Sequence, residues 1–172
     1  ASRRCNRGVS YEGGQGERGA RQAQVGARPR EVLAFAAGYR PGTRVVWTVE
    51  RRLYLVRPGG RALRYGVGVG RPGFGWSGTK TVTAKKEWPS WGPPKAMLAR
   101  RPDQPRYIAG GVENPLGARA MYIGGTEYRI HGSNEPDTIG QAVSSGCIRM
   151  TNDDVTDLYE RVRVGAKVVV LN

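Results

Sequence analysis

Thr43–Val69 reads TRVVWTVERRLYLVRPGGRALRYGVGV. Its apolar residues are mostly β-branched or aromatic, and they come in runs too short for helices: Thr43–Val49, Leu53–Val56 and Leu63–Val69. Between the last two, Arg57–Gly60 (RPGG) is a turn, in which proline fixes φ and glycine accepts a positive one. The segment is therefore read as strands closed by a hairpin.

Working outward, the same punctuation recurs. Thr79–Ala84 (TKTVTA) reads as a further strand, and Glu87–Pro94 (EWPSWGPP) as a loop carrying Trp88 and Trp91. Lys95–Arg101 has room for one or two helical turns before Pro102 stops it. Ala118–Ile123 and Glu127–His131 are two short strands around Gly124-Gly125. Thr151–Val162 (TNDDVTDLYERV) is the clearest helix. Thr151 or Asn152 caps it, Asp153 and Asp154 suit its positive end, and Val155, Leu158, Tyr159 and Val162 share one face. Lys167–Leu171 (KVVVL) reads as a buried strand. The pattern predicts a mainly β domain with one clear helix, either a sandwich or a half-open barrel.

Residues 1–28 are Arg- and Gly-rich with one aromatic, Tyr11, and bury too little apolar surface to offset chain entropy. The expected division is a basic tail over 1–40 and one domain over 41–172. No apolar run reaches the roughly 18 residues of a membrane span. Val32–Ala37 is also short for a signal-peptide core of about 7–15 residues, so an export signal is expected to lie outside this chain.

The net charge of +14 favours anionic partners. Arginines outnumber lysines 23 to 5 but are scattered, with no basic helix, finger spacing or aromatic RNA-binding segment, so nucleic acid is not the expected partner. Cys5 and Cys147 lie 142 residues apart, which makes a structural disulfide unexpected and leaves Cys147 to be explained as a lone thiol. One histidine and two distant cysteines form no ligand cluster, so no metal is expected, and covalent catalysis by a thiol needs no organic cofactor.

The single histidine and Cys147 share one segment, His131–Met150 (HGSNEPDTIGQAVSSGCIRM). A thiol attacks carbonyls as thiolate, and a neighbouring imidazole is the usual means of making one near neutral pH. Gly132 lets the chain leave the strand, and amides around Gly146 and Cys147 are candidate oxyanion donors. On composition and spacing alone, the alternative stays open that His131 is a satisfied strand-end histidine and Cys147 a small buried hydrophobe.

The local string decides between them. Ile130–Gly132 (IHG) and Ser144–Met150 (SSGCIRM), with the strand pair RRLYLV and RYGVGVG, NPLGARAMYI and TNDDVTDLYERV…GAKVVVLN, resemble the L,D-transpeptidase catalytic domain, the YkuD family of bacterial cell-wall enzymes. The resemblance covers roughly residues 40–172. It implies that family's sandwich or half-open barrel, with the main helix after the cysteine. It also implies Cys147 as nucleophile, His131 as general base and then acid, and the Gly132 carbonyl as the group orienting His131. Ser145 departs from the pattern, standing where the family carries a second histidine. With Gly146 it is expected to shape the oxyanion site, and its hydroxyl can still donate.

Arg149 matches a family Arg/Asn position and either pairs with a substrate carboxylate or braces the loop. Glu135 and Asp137 read as a solvated turn. Trp88 and Trp91 form either a lid over the cleft or the packing of a proline-rich loop. Trp47 and Trp76 are expected in the core or at its rim, and one of Tyr128 and Arg129 is expected to face the cleft. The resemblance further implies acyl transfer on peptidoglycan stem peptides in the cell envelope or periplasm, by a chain expected to be monomeric. The product is a 3→3 crosslink with D-alanine released. The alternatives are an L,D-carboxypeptidase, attachment of an envelope protein to the wall, or a wall-binding module without turnover.

Overall fold

The computed structural model describes residues 29–70, 76–92, 95–103, 105–144 and 146–172. Among these residues eleven strands run in chain order: β1 (Glu31–Ala34), β2 (Arg44–Trp47), β3 (Arg52–Arg57), β4 (Arg61–Gly66), β5 (Val69–Gly70), β6 (Gly78–Glu87), β7 (Arg119–Ile123), β8 (Arg129–His131), β9 (Ala142–Ser144), β10 (Ile148–Arg149) and β11 (Lys167–Leu171). Two α-helices join them, α1 (Lys95–Arg100) and α2 (Asn152–Arg161), with a 3-10 turn at Pro136–Thr138. Nine strands form one sheet in the order β1-β4-β3-β2-β11-β6-β7-β8-β10, and β5 pairs with β9.

The hairpin at the RPGG turn forms as read, with Arg57 opposite Arg61 and Gly59 and Gly60 both at positive φ. Its strands lie deep in the sheet, which explains their nearly continuous apolar runs. Val45, Tyr54, Val56 and Val169 pack on one face, while Val46, Leu53, Leu55, Val168 and Val170 pack on the other. Each such side chain, fully buried, is worth about 1.5–3 kcal/mol. The face of Val45, Tyr54, Val56 and Val169 is covered from upstream: Leu33, Phe35 and Tyr39 pack on it, and Phe35 stacks on Tyr54 with ring centroids 4.8 Å apart. Residues upstream of 41 also join the sheet. β1 pairs with β4 along its whole length, and Arg30 bonds Asp154 at 3.1 Å, so the domain takes in residues assigned to the tail. Residues 1–28 lie outside the described residues.

β6 makes the sheet curl. Gly78–Thr81 pair with β11; after a register shift between Val82 and Ala84, the rest of the strand pairs with β7. A bulge bends a strand and increases its twist. The sheet therefore turns inward around the larger core, giving the half-open barrel.

The helix α2 follows its sequence closely. Thr151 Oγ1 accepts the Asp154 N–H at 3.1 Å, and Val155 and Leu158 are buried against β7 and the larger core. Lys85 donates to the Tyr159 and Val162 carbonyls, both at 2.7 Å, closing the end that helices leave open. Val155 and Leu158 thereby share one core with Ile130 of β8 and Ile148 of β10.

Candidate active site

The register of β8 answers how residues sixteen positions apart come together. β8 lies antiparallel to β7 and parallel to β10, with Ile130 opposite Ile148 and His131 opposite Arg149. Cys147 therefore enters β10 beside Arg129. There the Arg129 backbone N–H donates to the Cys147 sulfur at 3.2 Å, and an amide so placed stabilises negative charge on that sulfur. Cys147 is fully buried.

His131 is also fully buried. Its Nδ1 lies 2.5 Å from the Gly132 carbonyl oxygen. A carbonyl only accepts, so the proton belongs on Nδ1 and the lone pair on Nε2. Nε2 is buried and has no hydrogen-bond partner among the described residues. Burial first, then the charge of Arg149, pushes the imidazole down to about 3, against the opposing pull of the Gly132 carbonyl. The ring is thus neutral at working pH, the form that accepts a proton.

Asn152 secures this corner. Its Oδ1 accepts from Ala118 N–H at 3.0 Å and Ser133 N–H at 3.3 Å, tying the first residue of α2 to β7 and to the chain leaving His131. A Cβ at Gly132 would fall on that oxygen, which is why glycine follows the histidine.

The cysteine turn has its own brace. Ser144 is fully buried; its Oγ donates to the Cys147 carbonyl at 2.6 Å and accepts the Gly146 N–H at 3.2 Å. Of the two amides expected near the oxyanion, that of Gly146 is therefore engaged within the turn. Gly146 has φ +123°, and a Cβ there would fall on the Tyr128 ring. Trp76, half-buried at the rim, donates its indole N–H to the Gly146 carbonyl at 3.1 Å and stacks on Tyr128.

Cys147 itself corrects the expectation of a lone thiol, since its sulfur is in a disulfide. The only other cysteine in the sequence, Cys5, lies outside the described residues, as does Ser145. Arg149 is buried, 3.8 Å from Glu135, and its backbone exchanges two hydrogen bonds with Gly68. That geometry is a brace between the spacer and β10. Glu135 is accordingly more than a solvated turn residue, whereas Asp137 is exposed. Trp91 is buried and exchanges backbone bonds with Ile108, so it packs the proline-rich loop, while Trp88 and Trp47 are exposed. Tyr128 and Arg129 both adjoin Cys147 or its preceding glycine, one through its ring and the other through its backbone. Sequence reasoning passed over the Arg129 amide, which has no side-chain signature, and Ser144, masked by its neighbour in the SS pair.

Among the described residues, no group of three His, Cys, Asp or Glu side chains is placed to hold a metal. No helix there is long and apolar enough to cross a membrane.

Residues 42–170 match the YkuD family model, described as the L,D-transpeptidase catalytic domain. The chain is 36% identical over 137 residues to the probable L,D-transpeptidase ErfK/SrfK of Escherichia coli, an alignment covering 74% of this chain and 43% of that protein. It thus spans less than half the length of the curated relatives it matches. A Brucella melitensis structure titled a probable carnitine operon oxidoreductase is 44% identical, with TM-score 0.56, covering 87% of this chain and 99% of that one. L,D-transpeptidase 3 of Mycobacterium tuberculosis, solved with a faropenem-derived adduct, shares the fold at 18% identity and TM-score 0.57, covering 76% of this chain and 60% of that one.

Proposed function

The chain belongs to the YkuD family of L,D-transpeptidase catalytic domains, and from that membership we propose that it forms 3→3 crosslinks between peptidoglycan stem peptides in the cell envelope. The observation that carries the reading is the pair of His131 nitrogens. Nδ1 is held on the Gly132 carbonyl, and Nε2 is buried beside the cysteine strand with nothing in the described residues to bond. A buried polar atom left so is costly unless a partner arrives during the reaction.

In the reduced protein, the Cys147 thiol passes its proton to His131 Nε2. The sulfur attacks the carbonyl of the third residue of a donor tetrapeptide. The Arg129 amide stabilises the thiolate, and the Cys147 amide is assigned in this proposal as the donor to the developing oxyanion. As the C–N bond breaks, Nε2 returns the proton to the amine of departing D-alanine, leaving a thioester. The side-chain amine of a second stem then attacks that carbonyl, the C–S bond breaks, and the amine's proton restores the thiol. Water as acceptor makes the same intermediate a carboxypeptidase, and a protein lysine makes it an anchoring enzyme. The disulfide form cannot enter this cycle, because its sulfur carries no proton to give and no lone thiolate.

Reduced protein incubated with purified disaccharide-tetrapeptide tests the proposal. Mass spectrometry should show dimers that retain the third residue's carbonyl in the new link, with free D-alanine. Tripeptides alone assign water as acceptor. No product, and no thioester on Cys147, returns the chain to the wall-binding alternative.

A further inference from the structure

We propose that Trp76 and Tyr128 are positioning residues that aim the Cys147 amide at the oxyanion, an inference that rests on the acyl-transfer reading above. The Gly146–Cys147 peptide is trans and planar, so its carbonyl and its N–H point in opposite directions on one rigid plate. The Trp76 indole holds the carbonyl end at 3.1 Å. Fixing that end fixes where the Cys147 N–H points, and a donor on the carbonyl also polarises the N–H of the same peptide.

Tyr128 completes the clamp from two sides. Its ring lies parallel to the indole, with centroids 5.5 Å apart and planes 2° apart, which keeps the indole from swinging away. The same ring occupies the space a side chain at position 146 would need, and φ +123° there is one that L-residues rarely adopt. Because the Gly146 amide is engaged by Ser144, the direction of the Cys147 amide is what these contacts control. Both act through the peptide plane, by way of the Gly146 carbonyl and the space beside Gly146.

The test compares two reactions of reduced Cys147. Acylation by imipenem, a carbapenem, passes through an oxyanion. Alkylation by iodoacetamide needs the same thiolate and the same histidine but forms no oxyanion. Trp76→Phe keeps a stacking ring and removes the donor. It should slow acylation roughly tenfold, less than the 10²–10³ lost when an oxyanion donor is removed outright, and leave alkylation unchanged. Tyr128→Leu, which keeps the indole donor but frees it, should show the same selective loss to a smaller degree. In Trp76→Phe the Gly146 carbonyl carbon should also move upfield in the NMR spectrum, as a carbonyl does on losing a donor. Equal acylation in wild type and Trp76→Phe overturns the inference, as does a parallel fall in both reactions. A wild-type Cys147 that is alkylated but never acylated overturns the acyl-transfer reading and this inference with it.

Discussion

The two nitrogens of His131 lie in opposite conditions, one bonded to its own chain at Gly132 and one buried without a partner among the described residues. In the proposed reaction that asymmetry sets the reactivity, and it also sets a pH response of the fold. Replacing His131 with Gln should slow acylation of Cys147 by about two to four orders of magnitude, the share a general base supplies, as read by stopped-flow with a carbapenem. The stability effect has a definite sign. The folded imidazole is depressed to about 3 from 6.5. Between those values the unfolded chain binds the proton and the folded chain does not, so stability is complete above pH 6.5 and falls as pH drops toward 3. Urea titrations at pH 7 and pH 4.5 should show wild type losing more stability than His131→Gln. An equal loss in the two proteins contradicts the buried neutral ring.

At the scale of elements, the site is a parallel contact between two very short strands, β8 and β10, pinned by the first residue of α2. Asn152→Ala leaves the Ala118 and Ser133 amides without their acceptor, at a cost of about 1–3 kcal/mol for each buried orphan. Asn152→Asp keeps the oxygen and should recover most of that loss in a denaturant titration. The helix was fully legible in sequence, because a threonine cap, two early acids and an i, i+3, i+4, i+7 apolar set all agree. The RPGG hairpin was legible for a similar reason. β5, β9 and β10 were not, since strands of two or three residues carry no periodicity and owe their pairing to neighbours. β1 escaped because four residues behind Arg30 and Glu31 carry little periodicity, although Leu33 and the following Phe35 pack on the Tyr54 face of the sheet. At the site, the motif placed His131, Gly132 and Cys147 on one segment. The Arg129 amide and the Trp76 contact depend on tertiary register, and no local pattern announces them.

Across the whole molecule, a long curled sheet buries a charge in its centre. Arg44 is fully buried, its guanidinium reaching Ala166 O at 3.1 Å and Met121 Sδ at 3.7 Å, and burial lowers it to about 10. Replacing a buried charge by an apolar residue of similar length is often neutral or stabilising. Arg44→Met should therefore hold stability within about 1.5 kcal/mol of wild type or raise it. A larger loss would give the guanidinium a structural role that these contacts do not explain. Charge on the outside follows a simpler rule, with a net +14 suited to an anionic polymer and screened by salt. The disulfide at Cys147 bears on this scale too, since in the proposed reaction only the reduced thiol is a nucleophile. The most direct measurement of the central claim is the intact mass of the protein after carbapenem exposure, with and without prior reduction. One adduct on Cys147 in the reduced wild type, none in the oxidised protein and none in Cys147→Ala is the predicted outcome. A reduced wild type that stays unmodified, or a Cys147→Ala protein that is modified equally, contradicts it.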